Sequence, residues 1–167
     1  MKAKILSLAI ALIALLSVST AFAQNPHFNQ NDDPIINVTC QTDGTSSSYL
    51  VEISGVVHGI GGETTGTILK TIEADFNCFN KGKDAGPVPG QSGPISDEIT
   101  VTLETIRPGV ASFSTSFTVG GSCKGNALAS IVTALRFIRL ELEIGGKLAT
   151  PSLISFVPKQ IDSCPQP

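Results

Sequence analysis

This chain has no tryptophan, a single tyrosine, and only two histidines among its 167 residues. Each shortage removes a class of explanation. Flat aromatic rings are the usual platforms for stacking sugars, and with Tyr49 the one exposed-type aromatic available, an aromatic sugar-binding face is not expected. The missing Trp also removes the core residue typical of a true immunoglobulin domain. An imidazole base for nucleophilic catalysis could come only from His27 or His58. His27 lies in a polar N-terminal stretch, and His58 ends a strand beside a glycine turn, where a solvent-exposed side chain is the expectation. Gly90-Gln91-Ser92-Gly93 lacks the spacing of a nucleophile elbow.

Charge is equally sparse. Lys and Arg number 11 against 14 Asp and Glu, a formal net charge of −3. Lys81 with Lys83 is the densest basic cluster, too little for binding nucleic acid through counterion release, so no nucleic-acid partner is expected. No internal repeat with a period of roughly 20 to 50 residues is present. Apart from the N-terminus, no apolar run approaches the roughly 20 residues that span a bilayer.

What the chain does have begins with an export signal. Lys2 and Lys4 precede the uncharged stretch 5–18, and Ala21-Phe22-Ala23 places small residues at the −3 and −1 positions of a cleavage site. Residues 1–23 therefore read as a cleavable signal peptide, and the mature chain as secreted, periplasmic or cell-surface, with no transmembrane segment. Cleavage would leave 144 residues carrying 9 basic and 14 acidic side chains. That length suits one domain with a single core. Residues 24–34, polar apart from Phe28, read as a flexible lead-in to one domain over 35–167.

The four cysteines, Cys40, Cys78, Cys123 and Cys164, lie dozens of residues apart, which suits disulfides in an oxidising compartment better than a metal centre. Cys40 shares the apolar phase of Ile36 and Val38, and Cys78 that of Ile72, Ala74 and Phe76. Cys123 and Cys164 stand in Gly- and Pro-marked surroundings. The expected pairing is Cys40 with Cys78 in the core and Cys123 with Cys164 at the periphery. Each ring would hold about 40 residues and contribute about 3 to 4 kcal/mol in the chain-entropy model.

Short alternating runs dominate the remainder. Tyr49, Val51 and Ile53 oppose Glu52, Ser54 and His58; Ile68, Ile72, Ala74 and Phe76 oppose Thr71, Glu73, Asp75 and Asn77 over a stretch long enough to contain a bulge. Gly55 inside its strand marks a bulge or a close backbone approach. Ile99, Val101 and Leu103 and then Ala111, Phe113, Phe117 and Val119 form two strands joined at Arg107-Pro108-Gly109. Ile138, Leu140, Leu142 and Ile144 alternate with Arg139, Glu141 and Glu143. Over 126–133, Leu128, Ile131, Val132 and Leu135 also fit a helical stripe, so one short helix is an alternative there. Residues 80–94 hold seven Gly or Pro and read as the one long loop. The expected fold is all-β, a two-layer antiparallel β-sandwich of immunoglobulin-like architecture with about seven strands and two disulfides; a barrel is the alternative.

Taken in order, Val-Thr-Cys at 38–40, Ile-Ser-Gly-Val-Val-His-Gly-Ile-Gly-Gly at 53–62, Asn-Cys-Phe-Asn-Lys-Gly-Lys-Asp at 77–84 and Pro-Gly-Gln at 89–91 resemble motifs of a loose group of small exported microbial β-rich proteins. That group has four Cys, a Ser-Gly…Gly-Leu-Gly turn and a Cys-x-Asn segment leading to Pro-Gly-Gln. Ile60 stands where the group has Leu, and Lys83-Asp84 replaces Gly-Asn. The resemblance implies an exported, disulfide-stapled β domain; the group has no established activity and supplies no catalytic residues.

Chemistry-bearing residues are few. Glu73 with Asp75, Asp97 with Glu98, and Glu141 with Glu143 are the carboxylate pairs a glycosidase-like site would need across a cleft, but acids on alternating strands are ordinarily a solvated face. Asp75, Asn77, Asn80 and Asp84 put four oxygen-bearing side chains at a strand exit, a weak calcium candidate that Lys81 and Lys83 oppose. No other cofactor is expected. Asn37-Val38-Thr39 is a glycosylation sequon, incidental in a prokaryotic exporter. The expected function is non-enzymatic binding of an extracellular or cell-surface partner through loops, with Asn80, Lys81, Lys83, Asp84 and Gln91 as the candidate binding loop. A secreted hydrolase with a carboxylate site and a calcium-stabilised adhesion module are the alternatives.

Overall fold

The alternation of apolar and polar side chains is realised as strands throughout the computed structural model, which describes residues 25–43, 46–79, 88–121, 123 and 129–164. The strands are β1 (Ile35–Thr42), β2 (Ser47–His58), β3 (Thr65–Phe79), β4 (Val88–Thr102), β5 (Glu104–Arg107), β6 (Val110–Gly120), β7 (Ala129–Ile144) and β8 (Lys147–Leu148), followed by a single 3-10 turn at Leu153–Phe156. They form two four-stranded antiparallel sheets, the first in the order β1-β2-β6-β5 and the second in the order β4-β3-β7-β8. Between the sheets lie Val51, Ile53, Val57, Ile68, Leu140, Leu142, Ile144 and Leu153, all buried. Burial of side chains of this size, at about 1.5 to 3 kcal/mol each, is what holds the layers together.

Three local readings change. The expected hairpin from the Ile99 strand to the Ala111 strand does not form, because the chain changes sheets at buried Leu103, whose amide donates to the Thr64 carbonyl at 2.8 Å. The Arg107-Pro108-Gly109 turn instead joins β5 to β6, with Gly109 at φ +76°. No helix forms at 129–133, which opens β7; residues 124–128 lie outside the described residues. Gly55 is a close approach rather than a bulge: its pairing with Phe113 is regular, and a Cβ there would meet the Phe113 ring at 3.1 Å and the Pro34 backbone at 3.2 Å.

Residues 25–34 are built into the body, contrary to a flexible lead-in. His27 bridges β2 at His58 and the chain at Thr150, exchanging backbone bonds with His58 at 3.0 and 2.9 Å. Pro26 and Phe28 are buried, and the Phe28 ring meets the edge of Phe156 at 5.8 Å. One plugged aromatic and five backbone bonds outweigh the polarity of the segment. Residues 1–24 lie outside the described residues.

The disulfides pair differently from the expectation. Cys40 bonds Cys164, and Cys78 bonds Cys123. Cys40 sits on β1, the outer strand of the first sheet, while Cys78 sits on β3 in the second sheet, which faces β6. Two strand positions separate them laterally, whereas Cys123 follows directly from β6. The larger ring, spanning 124 residues of sequence, corresponds to about 5 kcal/mol of denatured-state entropy, and the 45-residue ring to about 4 kcal/mol.

The two ends of the sandwich differ. One end is closed by short turns with Gly59, Gly109, Gly145 and Gly146 at positive φ, where a glycine backbone is favoured. The other end carries the β1–β2, β3–β4 and β6–β7 connections, together with both disulfides.

Candidate functional site

At the disulfide-bearing end, the last residues of β1 and β6 and the first of β2 surround a cleft of about 670 Å³. It is lined by Gln41, Thr42 and Asp43, by Ser46, Ser47 and Ser48, and by Gly120, Gly121 and Ser130. The serines are positioned by backbone bonds. Ser46 Oγ accepts from the Ser130 amide at 3.2 Å, Ser47 Oγ from the Val132 amide at 3.1 Å, and Ser130 Oγ donates to the Gly121 carbonyl at 2.8 Å. These bonds tie the start of β2 in the first sheet to the start of β7 in the second. Asp43 closes its turn by accepting from the Ser46 amide at 2.8 Å. Among the described residues the lining therefore offers hydroxyls, one amide and one carboxylate, and neither a cation nor an aromatic ring.

Gly121 is required here for space: a Cβ would fall onto the Phe76 ring, which is buried beneath the cleft. Two residues on, Cys123 bonds Cys78 and so ties the β6–β7 connection to the exit of β3, where the β3–β4 connection leaves. The second disulfide brings the C-terminal tail to β1, and Tyr49 Oη donates to the Asp162 carbonyl at 2.9 Å. Burial holds the Tyr49 phenol above its usual pKa, partly opposed by a backbone hydrogen bond from Cys164.

Among the binding-loop candidates, Asn80, Lys81, Lys83 and Asp84 lie outside the described residues, and Gln91 lies in β4, paired in register with Asp75. Residues 88–94 are thus strand, not loop. Of the calcium candidates, Asp75 is exposed and Asn77 half-buried on β3, while Asn80 and Asp84 fall outside the described residues. Among the described residues no group of three His, Cys, Asp or Glu is placed to hold a metal ion. The carboxylates do not converge on the cleft. Glu73 pairs with Arg136 at 3.2 Å, Glu141 with Arg139 at 2.7 Å, and Asp97 with Lys70 at 2.7 Å. His58, expected at the surface, is buried at the opposite end of the sandwich, its Nε2 3.0 Å from Asp32 Oδ2 and its ring 5.7 Å from that of His27.

Sequence reasoning missed Lys70 as an inward-facing residue and its pairing with the exposed Asp97. Lys70 stands on the buried phase between Ile68 and Ile72, and Asp97 between Ile95 and Ile99 on the paired strand, in direct register. The Lys70 side chain is only 10% exposed, and its ammonium lies 5.1 Å from the centre of the Phe117 ring. Its hydrogen bond is the main cause that holds the Asp97 carboxyl below the usual carboxylate range. Opposite charges at the same apolar phase of two strands were the available signal.

Comparison with protein-family models, curated proteins and solved structures finds no match. Among the described residues no helix is long and apolar enough to cross a membrane.

Proposed function

We propose that this is an exported binding domain that takes a polar extracellular ligand at the cleft between β1, β2 and β6. The observation that carries this reading is the asymmetry of the ends: three connections leave one end, two of them tied at their roots by the Cys78–Cys123 bond, beside a hydroxyl-lined cleft. Connections held on a rigid scaffold are a common place for binding residues. Two disulfides also fit an oxidising compartment. The strand order supports an immunoglobulin-like assignment, since β1-β2-β6-β5 follows the A-B-E-D sheet and β3, β7 and β8 the C-F-G sheet, with β4 as an added C′ strand. In that correspondence the cleft lies at the end opposite the antibody combining loops.

The lining selects the ligand chemistry. Serine hydroxyls, Gln41 and Asp43 match a neutral, hydroxyl-rich ligand such as an oligosaccharide, bound by edge hydrogen bonds rather than by ring stacking. A carboxylate-based hydrolase is the less favoured reading, because Glu73, Glu141 and Asp97 each have a basic partner away from the cleft. The test is to titrate the disulfide-intact chain with a panel of neutral oligosaccharides and map hydrogen-exchange protection. Protection confined to 41–43, 46–48, 120–121 and Ser130 is expected; protection at the glycine-turn end, or release of reducing ends, would overturn the reading.

A further inference from the structure

The sandwich has two lateral seams, and the described residues close one of them. On the β1 and β7 side the C-terminal segment runs along the opening: Ser152 Oγ donates to the Leu140 carbonyl at 2.8 Å, Leu153 is buried, and Cys164 ends bonded to β1. On the other side, β5 pairs with β6 only from Val110 to Ser112. The edge of β6 over residues 113–120 has no strand beside it among the described residues. Behind that edge a cavity of about 120 Å³ opens between the sheets, lined by Lys70, Ile72, Ile95, Phe117 and Val119. Ile95, on the inward phase of β4, is 54% exposed there.

Natural sheets protect a free edge with charge, proline, a bulge or a covering segment. Residues 113–120, Phe-Ser-Thr-Ser-Phe-Thr-Val-Gly, contain neither charge nor proline, and their pairing with β2 is regular. β4, by contrast, carries Pro94, Asp97 and Glu98, and β8 has only two residues. β1 is also uncharged, but the tail is fastened to it through Cys40.

We propose that residues 113–120 of β6 accept an extended strand from a partner protein, one with alternating apolar and basic side chains. Such a strand would continue the line of β5 and complete the first sheet by backbone pairing. Its inward side chains would fill the space beside Phe117 and Val119 and cover Ile95. The rim selects the charge. Glu104 is exposed where β5 begins, and Glu52 is exposed on β2 opposite Ser116, both on the outer face of the first sheet; neither has an ion-pair partner among the described residues. Lys70 and Asp97 neutralise each other, and Arg107 lies at the far end of β5, opposite Val110. A second copy of the chain would set this acidic rim against itself, which disfavours self-pairing.

The probe is a capped synthetic peptide of about eight alternating Lys and Val residues, beside a Glu/Val counterpart and a Lys/Val peptide N-methylated at alternate amides. Backbone amide shifts and hydrogen exchange are read on the disulfide-intact chain. The Lys/Val peptide should protect edge-facing amides within 113–120 and shift Ile95, and the other two should not. Glu104→Lys should weaken Lys/Val binding by about tenfold, while Asp33→Lys, exposed before β1 on the opposite edge of the sheet, should leave it unchanged. Equal binding of the N-methylated or Glu/Val peptide, or protection elsewhere, would overturn the proposal. So would edge protection in the free protein accompanied by a dimer mass, which would identify a second copy as the occupant.

Discussion

Tyr49 and Asp162 lie 113 residues apart, yet the Tyr49 hydroxyl donates to the Asp162 carbonyl at 2.9 Å two residues before the tail is bonded to β1. The tail is thus fixed at two adjacent points. Tyr49→Phe keeps the buried ring and removes the bond, so it should cost about 0.5 to 1.5 kcal/mol in equilibrium unfolding. Hydrogen exchange should quicken near Asp162 and not in β3. Because burial raises the phenol's pKa, the folded form favours the neutral group. Its contribution is complete below the ordinary phenol pKa and is lost as pH rises through the higher folded value. A pH-titrated unfolding series should show this alkaline loss in the native chain and not in Tyr49→Phe.

Paired Cys→Ser substitutions separate the two staples. Cys78→Ser with Cys123→Ser should lower stability by up to about 4 kcal/mol, and Cys40→Ser with Cys164→Ser by up to about 5 kcal/mol. Exchange in the first variant should rise at the roots of the cleft, around Ser130 and Gly121. In the second it should rise along 157–164, with the cleft less affected.

Lys70→Met should leave thermal stability unchanged or raise it, because an ion pair with an exposed carboxylate contributes little, while methionine keeps the apolar contact beside Phe117. Asp97→Ala should lower it by leaving the Lys70 ammonium without its carboxylate. The Asp97 carboxyl has a depressed folded pKa, so its contribution is present above the ordinary carboxylate value and is lost as pH falls through the folded one. Acid titration of unfolding should show that loss in the native chain and a smaller one in Lys70→Met, where the Glu98 amide still donates to Asp97.

Gly121→Ala would drive a methyl group into Phe76, and overpacking of this kind typically costs about 1 to 3 kcal/mol. Gly93→Ala, where nothing lies within 4 Å of the added atom, serves as the control and should change the melting temperature little.

Period-two alternation made the strands legible from Tyr49 to Phe76, and the all-β sandwich with it. β7 was harder because two extra residues disturb its pairing with β3. Thr71 pairs with Arg139 and Ile72 with Phe137, leaving Ile138 between them; Asp75 pairs with Ala134 and Phe76 with Val132, leaving Thr133. The inward positions consequently run Val132, Leu135, Phe137, Leu140, a spacing that imitates a helix, and Ile138 is 48% exposed. The cysteine phases correctly turned Cys40 and Cys78 inward, but a phase fixes which face a residue takes and not which strand lies opposite. Disulfide partners follow from the sheet order, which depends on long-range pairing. The cleft was illegible for the same reason: its serines come from β2 and β7, over 80 residues apart.

The central claim is that the disulfide-rooted end binds a polar ligand, and footprinting by hydrogen exchange tests it most directly. With a neutral oligosaccharide bound to the disulfide-intact chain, protection should fall on 41–43, 46–48, 120–121 and Ser130, and should disappear in Cys78→Ser with Cys123→Ser while the sheets remain protected. Protection centred on Gly59, Gly109 and Gly145, or an unchanged footprint without the Cys78–Cys123 bond, would contradict it.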